Sequence, residues 1–252
     1  MSNPKTFLFV LLGASNLARG HHAIAEYIRN AMGTRCIGFY FALGPGRGYR
    51  VAGGIMSHSY SPIETCGILE SVERKTRGKI GLKVLVTDIG NDIMYGISGG
   101  ELIDCLNGIF QRLENMGADI CVSPISVWLE KELDPVKFYF LRTLFYPRSS
   151  ETYRGTIDAI SAVNLYIKNE AKTRVTVIEG LDTFFGLDRI HYDCLKSGLA
   201  WRLIAQSLLS GASGNKMRPI RISQIIKSYQ THYRQLIVND YLSWGTRGSN
   251  YF

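Results

Sequence analysis

Short runs rich in apolar residues alternate along the chain with stretches in which apolar residues recur every three or four positions. Such runs are typical of strands buried on both faces of a sheet. They occur at residues 6–12, 36–43, 82–87, 120–127 and 174–178. Helical spacing occurs at 17–32, 62–76, 100–116, from Ser149 or Ser150 to about 172, and at 195–210. Strands that alternate with helices predict an α/β protein whose parallel sheet is covered by helices on both faces.

The C-terminal part of the chain is more basic than the rest. The chain carries 29 Lys and Arg against 21 Asp and Glu, a net charge of +8. Residues 212–252 contain one acidic side chain, Asp240, among several basic ones. Gly and Ser dominate residues 211–215, a composition that predicts a linker. We therefore expect one domain over residues 1–211 and a basic extension over residues 212–252.

Within this extension, apolar residues recur at helical spacing from Ile222 to Ile237, with Lys227 and Arg234 between them. The pattern predicts an amphipathic helix with a basic exposed face. Its apolar stripe needs a cover, and we expect the body of the protein or a second copy in a homo-oligomer. An anionic membrane or an acidic carrier protein is the alternative. A basic tail is most often a solvated surface, so no nucleic-acid partner is expected.

The cysteine and histidine patterns indicate neither disulfides nor a metal. The five cysteines form no Cys-x-x-Cys pair, which favours reduced thiols and a cytoplasmic location. His58 and His232 lack partners at ligand spacing, so no metal or cofactor is expected. No apolar run approaches the roughly 20 residues of a transmembrane helix. Residues 7–12 resemble a short signal-peptide core, but they continue into a candidate motif.

Four polar clusters follow predicted strands. Because the carboxyl ends of parallel strands meet at one edge of a sheet, these clusters are expected to lie together. They are Gly13-Ala14-Ser15-Asn16-Leu17, Gly44-Pro45-Gly46-Arg47-Gly48, Asp88-Ile89-Gly90-Asn91-Asp92 and Asp188-Arg189-Ile190-His191.

These clusters supply the groups needed for nucleophilic catalysis of acyl transfer. A serine hydroxyl becomes reactive when a histidine takes its proton and a carboxylate orients that histidine. Ser15, His191 and Asp188 are the candidates. Acyl transfer also requires donors for the developing oxyanion, and the Asn91 amide and the backbone N–H groups of Gly46 and Ser15 are suitable.

The four blocks resemble those of the SGNH hydrolases, also called GDSL-type lipases and esterases, over residues 6–210. The first cluster stands where the family has Gly-Asp-Ser-Leu, and the last two match its Gly-x-Asn-Asp and Asp-x-x-His blocks. The resemblance implies a three-layer α/β/α fold with a five-stranded parallel, flavodoxin-like sheet and no metal. It implies that Ser15, Asp188 and His191 are catalytic, and that Ser15, Gly46 and Asn91 form the oxyanion hole.

The implied activity is that of a serine esterase or thioesterase, which cleaves a small-molecule or carrier-bound acyl substrate through an acyl-enzyme. An acyltransferase using the same three residues is one alternative. A non-catalytic binding module is another, favoured by Ala14, which replaces the Asp of the family's first block. Gly44 is a second candidate for the oxyanion glycine, and Asp182 and Asp193 compete with Asp188 for the histidine.

Three further groups of residues allow other interpretations. His21 and His22 lie near the start of the first predicted helix, where polar residues are common. The glycine cluster with Arg47 and Arg50 suits a phosphate, although no P-loop Lys-Ser/Thr follows it. The aromatic stretch at residues 138–146 would form a lid or acyl pocket, or else part of the core or an interface.

Overall fold

A computed structural model describes residues 6–33, 35–55, 58–76, 80–210, 217, 219–242 and 248–252. These residues form the strands β1 (Thr6–Leu12), β2 (Ile37–Ala42), β3 (Gly53–Ile55), β4 (His58–Tyr60), β5 (Ile80–Val86), β6 (Ala118–Val122) and β7 (Thr176–Val177). Five of them form a parallel sheet in the order β2-β1-β5-β6-β7, and β3 pairs with β4 in an antiparallel hairpin. The predicted five-stranded parallel sheet is confirmed.

Helices cover both faces of the sheet. They are α1 (Ser15–Met32), α2 (Ile68–Lys75), α3 (Asn91–Met94), α4 (Gly99–Asn115), α5 (Val127–Lys131), α6 (Pro135–Phe145), α7 (Tyr153–Leu165), α8 (Ser197–Leu208) and α9 (Ile222–Gln235). The π-helical segments Tyr166–Glu170 and Leu236–Tyr241 continue α7 and α9. Short 3-10 turns occur at Ala171–Thr173 and Leu181–Phe184. In the described part of the chain, no helix is both long and apolar enough to cross a bilayer.

The side chains of β1 point alternately to the two faces of the sheet, and each face carries one half of the hydrophobic core. Phe7, Phe9 and Leu11 belong to the half that contains the apolar faces of α1 and α8. The intervening residues 8, 10 and 12 belong to the half that contains those of α2, α4 and α7. Each fully buried side chain of this kind contributes about 1.5–3 kcal/mol. Because its side chains are buried on both faces, the position of β1 is fixed, and so is the start of the loop that follows it.

Several predicted boundaries were wrong by a few residues. The helix predicted over 62–76 begins only at Ile68, because Gly67 adopts a left-handed conformation (φ +86°) that interrupts helical geometry. The strand predicted to reach 127 ends at Val122, and Pro124 follows shortly after. Helix α7 is capped by Thr152, not by Ser149 or Ser150, since the Thr152 hydroxyl accepts the Gly155 N–H.

The described C-terminal residues pack against the body. Residues Ile222–Gln235 form α9, in which Ile225 is buried and the Ser228 hydroxyl donates to the Arg19 carbonyl at 2.9 Å. The predicted apolar stripe is only partly covered, since Ile226 and Ile237 remain exposed. Further along, residues 248–252 run beside the edge strand β2, where hydrogen bonds link them to Phe41. The linker at 211–215 lies outside the described residues, and the division at 211 stays a prediction.

Candidate active site

The hydroxyl of Ser15, the ring of His191 and the carboxylate of Asp188 form one hydrogen-bonded chain. Ser15 is the first residue of α1, immediately beyond β1. Its Oγ lies 3.0 Å from Nε2 of His191, and Nδ1 of His191 lies 2.7 Å from Oδ2 of Asp188. In the tautomer that protonates Nδ1, Nε2 is free to accept the serine proton. The structure thus brings together the three residues that the sequence singled out.

The Asp188 carboxylate is held ionised by its neighbours. Burial by itself would raise its pKa, but hydrogen bonds from the His191 ring and from the backbone N–H groups of His191 and Ile190 lower the pKa to about 2. An ionised carboxylate at this position fixes the orientation of the ring and stabilises the imidazolium form.

The two competing carboxylates are occupied elsewhere. Oδ1 of Asp182 accepts the Ser126 hydroxyl at 3.1 Å and the Val127 N–H at 3.0 Å, at the start of α5. Oδ1 of Asp193 accepts the Leu195 N–H at 2.9 Å, in the turn before α8. The structure therefore pairs neither of them with the His191 ring.

The loop that carries Ser15 is held by Asp88, a residue to which sequence reasoning gave no role. Oδ2 of Asp88 accepts the N–H groups of Ala14 at 2.9 Å and Leu17 at 3.0 Å, and Oδ1 accepts the Asn16 amide at 2.9 Å. Asp88 itself has φ +57°, an uncommon conformation for a residue other than glycine. A carboxylate from the end of β5 thus supports the loop in which Ala14 replaces the family's aspartate.

Asn16 connects the serine loop to the histidine loop. Its side-chain amide donates to the Ile190 carbonyl at 2.9 Å, and its Oδ1 accepts the Tyr192 N–H at 2.9 Å. These contacts lie on either side of His191 in sequence, so Asn16 fixes the spacing between Ser15 and His191.

The Asn91 side chain is oriented by hydrogen bonds on both of its polar atoms. Its Nδ2 donates to the Arg47 carbonyl at 2.9 Å, and its Oδ1 accepts the hydroxyl of Tyr146, the residue that ends α6. Burial raises the pKa of Tyr146, so its hydroxyl stays a protonated donor. The oxygen is thereby turned toward Tyr146, and one Nδ2 hydrogen remains available.

The glycine cluster lies next to Asn91. Gly46 has φ +73°, and a Cβ there would come within 2.8 Å of the Gly54 carbonyl, so a side chain is excluded. Gly44 is buried and lies against the Tyr60 ring, where a Cβ would clash at 2.5 Å. Gly46 is the more exposed of the two glycines and directly precedes the residue that Asn91 binds.

Asp92 anchors the rest of this loop. Its carboxylate accepts the backbone N–H groups of Tyr49 at 2.7 Å, Arg50 at 2.8 Å and Val51 at 3.1 Å. Burial raises the pKa of Asp92, although these hydrogen bonds lower it in part. Within the Gly-Asn-Asp block, Asp92 therefore holds the loop at residues 49–51, whereas the Asn91 side chain lies at the candidate site.

A cavity with a volume of about 110 Å³ opens beside Ser15 and extends beneath α5 and α6. Its apolar lining includes Ile89, Met94, Ile125, Leu129, Leu133, Phe138, Leu141 and Ile160. The aromatic stretch is therefore divided: Phe138 and Tyr146 line the cavity, whereas Tyr139 and Phe140 are exposed on the outer side of α6.

Two other residues considered from the sequence, His21 and Arg47, are buried and bind backbone carbonyls. His21 is buried within α1, with Nδ1 2.9 Å from the Ala18 carbonyl. Arg47 is buried and donates to the Ser61 carbonyl at 2.9 Å, so its guanidinium serves the loop. Across the described ranges, no group of three His, Cys, Asp or Glu side chains has an arrangement suited to a metal ion.

Comparison with known proteins shows similarity at the level of the fold. No family model and no curated protein matches the chain. The structure of TesA shares 17% identity over 80% of this chain and 97% of its own, with a TM-score of 0.48. A GDSL-like lipase from Bacteroides thetaiotaomicron shares 10% identity over 84% and 91%, with a TM-score of 0.47.

A third solved structure is similar with a TM-score of 0.51, at 9% identity, over 82% of this chain and 99% of its own. At identities this low, the similarity is limited to the fold of the backbone. The strand order and the two helical layers agree with the fold expected from the sequence. The chain has a three-layer α/β/α fold with a five-stranded parallel sheet.

Proposed function

We propose that this protein is a serine-dependent hydrolase of the esterase or thioesterase type, related to the SGNH hydrolases. The observation that carries the proposal is the chain of hydrogen bonds from Ser15 through His191 to Asp188. A serine, a histidine and a carboxylate in this order form the arrangement that activates a hydroxyl for attack on an acyl carbon. The expected substrates are small-molecule or carrier-bound acyl esters, and a cytoplasmic location stays a prediction.

In the proposed mechanism, the Ser15 hydroxyl attacks the acyl carbon while Nε2 of His191 takes its proton. The tetrahedral intermediate collapses when His191 returns that proton to the leaving group. Water then enters, His191 removes a proton from it, and the resulting hydroxide attacks the acyl carbon. His191 returns this proton to the Ser15 oxygen as the acid leaves. Asp188 orients the ring and stabilises its charged form in both halves of the reaction.

The oxyanion formed in each half requires hydrogen-bond donors. We propose the free Nδ2 hydrogen of Asn91 and the backbone N–H groups of Gly46 and Ser15. The orientation of the Asn91 amide supports this role, because its oxygen is held by Tyr146 and its nitrogen faces the other way. The partial exposure of Gly46 beside Arg47 supports it over the buried Gly44.

A binding module without catalysis is less well supported. The residue that favours a binding module is Ala14, because the first SGNH block has an aspartate at this position. The hydrogen bonds from Ala14 and Leu17 to Asp88 supply a carboxylate to the same loop. The serine loop therefore keeps its support.

Covalent labelling with a fluorophosphonate tests the proposal. We expect one label per chain, and peptide mapping should place it on Ser15. Labelling should be lost after replacement of His191 by Gln, because the hydroxyl is then without its base. A protein that takes up no label and hydrolyses neither an ester nor a thioester would refute the proposal.

Replacement of Asn91 by Ala should lower kcat by about 10²–10³-fold with a smaller change in KM, as is typical of the loss of one oxyanion donor. Steady-state kinetics on a soluble ester measure both constants. A rise in KM with unchanged kcat would mean that Asn91 holds the substrate and does not stabilise the transition state.

Replacement of Tyr146 by Phe should lower kcat by about tenfold, because the Asn91 amide then loses the donor that orients it. The effect should vanish when Asn91 is already Ala, which a double-mutant cycle measures. Tyr139→Phe, on the exposed side of the same helix, is the matched control and should change nothing. Equal losses from Tyr146→Phe in both backgrounds would contradict a role exerted through Asn91.

A further inference from the structure

Residues 248–252, which we call the tail segment, dock on one edge of the sheet. β2 is the edge strand there, and the tail segment forms a parallel bridge with it. The Phe41 N–H donates to the Asn250 carbonyl at 2.9 Å, and the Phe252 N–H donates to the Phe41 carbonyl at 3.0 Å. The tail segment thus gives hydrogen-bond partners to backbone groups that an edge strand leaves unpaired.

The aromatic side chains of the tail segment pack into both halves of the core. The Tyr251 ring stacks on the Phe41 ring at 4.9 Å between centroids and meets the His21 ring edge-on at 5.8 Å. The Phe252 ring contacts the Tyr40 ring at 5.5 Å and packs against the other half of the core. Successive side chains of an extended segment point to opposite faces, so this docking fixes the register of the tail segment.

The docked tail segment reaches the guanidinium of Arg47. The Phe252 carbonyl accepts a hydrogen bond from Nη1 of Arg47. The same guanidinium donates from Nε to the Ser61 carbonyl at 2.9 Å and from Nη1 to the Leu43 carbonyl at 3.4 Å. A buried cation is stable only when its donors have acceptors. Carbonyls from three separate parts of the chain therefore hold Arg47 in place.

Arg47 lies between the two groups proposed to bind the oxyanion from outside the serine loop. Its main-chain carbonyl accepts Nδ2 of Asn91 at 2.9 Å, and Gly46 directly precedes it. The Gly46 carbonyl in turn accepts the Tyr95 hydroxyl at 2.7 Å. A displacement of the Arg47 main chain would therefore move the Gly46 backbone and release the Asn91 amide together.

Such a displacement matters for catalysis because oxyanion donors act only at hydrogen-bond distance from the developing charge. A misplacement of about 1 Å can lower a rate by about 10²-fold, even when its cause is remote from the reacting atoms. The sequence blocks that resemble the SGNH hydrolases lie within residues 6–210, so the tail segment is outside them.

We propose that the tail segment is a positioning element of the active site, which acts through Arg47 on the oxyanion donors Gly46 and Asn91. This inference rests on the proposed serine hydrolase activity and adds to it a role for residues 248–252.

A chain that ends after residue 247 tests the proposal. Its kcat on a soluble ester should fall by about tenfold, less than after full loss of one donor, because the donors are displaced and not removed. Its KM should stay within about twofold, since the interactions affected are those of the transition state. Fluorophosphonate should still label Ser15 once per chain, more slowly, because Ser15 and His191 keep their hydrogen bond.

Arg47→Lys in the full chain tests the route through the guanidinium. A lysine ammonium lacks the planar fork that binds several carbonyls at once, so kcat should again fall by about tenfold. Truncation of the Arg47→Lys variant should lower kcat little further, which a double-mutant cycle measures. Arg50→Lys is the matched control, because this exposed arginine of the same loop lies 4.0 Å from Glu64, and it should keep kcat.

Tyr251→Ala in the full chain keeps the test decisive if the truncated protein does not fold. It removes the ring that stacks on Phe41 and leaves the tail backbone in place. We expect a loss of kcat smaller than that of truncation, and no further loss when Arg47 is already Lys.

A truncated or Tyr251→Ala protein that melts at a lower temperature but keeps the wild-type kcat would overturn the inference, since the tail segment would then only stabilise the fold. Losses that multiply in the double variants, or a rise in KM with unchanged kcat, would also overturn it. Each of these results leaves the hydrolase proposal intact. A wild-type protein without turnover and without a label on Ser15 would refute that proposal and this inference with it.

Discussion

Ser15→Ala should lower ester turnover by about 10⁴-fold or more, because the variant has no nucleophile and forms no acyl-enzyme. Residual turnover would come only from substrate binding and from the oxyanion donors, which act on attack by water. The measurement is kcat on a soluble ester, together with fluorophosphonate labelling of the same preparations.

The fold should survive this substitution. The Ser15 hydroxyl contacts His191, whereas the loop is held through the main chain of Ala14 and Leu17 and through Asn16. Circular dichroism and the melting temperature should therefore match those of the wild type. Ser207→Ala on α8 is the matched control and should keep full activity. Turnover or labelling that persists in Ser15→Ala would place the nucleophile elsewhere.

The sheet could be predicted from the sequence because its central strands are rich in buried apolar residues. β1 at Thr6–Leu12 was predicted with its observed bounds for this reason. The hairpin β3–β4 was missed, because its strands are short, contain two glycines and show no alternation. Helix α6 was difficult to assign because aromatic residues occupy both its inner and its outer side.

In the candidate site, residues that belong to short sequence motifs could be predicted, whereas residues that act through tertiary contacts could not. Ser15, Asp188 and His191 were found because each belongs to a short block with recognisable chemistry. Asp88 was not assigned a role, because it supports a loop 71–74 residues away in sequence through contacts that only the folded sheet creates.

Tyr146 was missed for a related reason. Its hydroxyl reaches Asn91 across 55 residues of chain, and within its own aromatic stretch nothing distinguishes it from Phe145. A residue that acts by orienting another one leaves no local pattern. The parts of a site that react can be predicted from motifs, whereas the parts that position them depend on tertiary contacts.

Asp188→Asn should lower kcat by about 10⁴-fold, because an amide cannot stabilise the imidazolium and favours the wrong tautomer of His191. Asp193→Asn is the matched control, since Asp193 is five residues further along and caps a turn without touching the ring. It should retain kcat within a few-fold. Equal losses in the two variants would refute Asp188 as the orienting carboxylate.

The same substitution has a consequence for acid stability. The pKa of Asp188 lies at about 2, below its ordinary value of 3.8, so its ionised form stabilises the folded state. That contribution is fully present above about 3.8 and is lost as the pH falls toward 2. Urea unfolding of wild type and Asp188→Asn across this range should show a steeper loss of stability in the wild type. Parallel curves would mean that the hydrogen bonds from His191 and Ile190 do not lower the pKa of Asp188 in the folded protein.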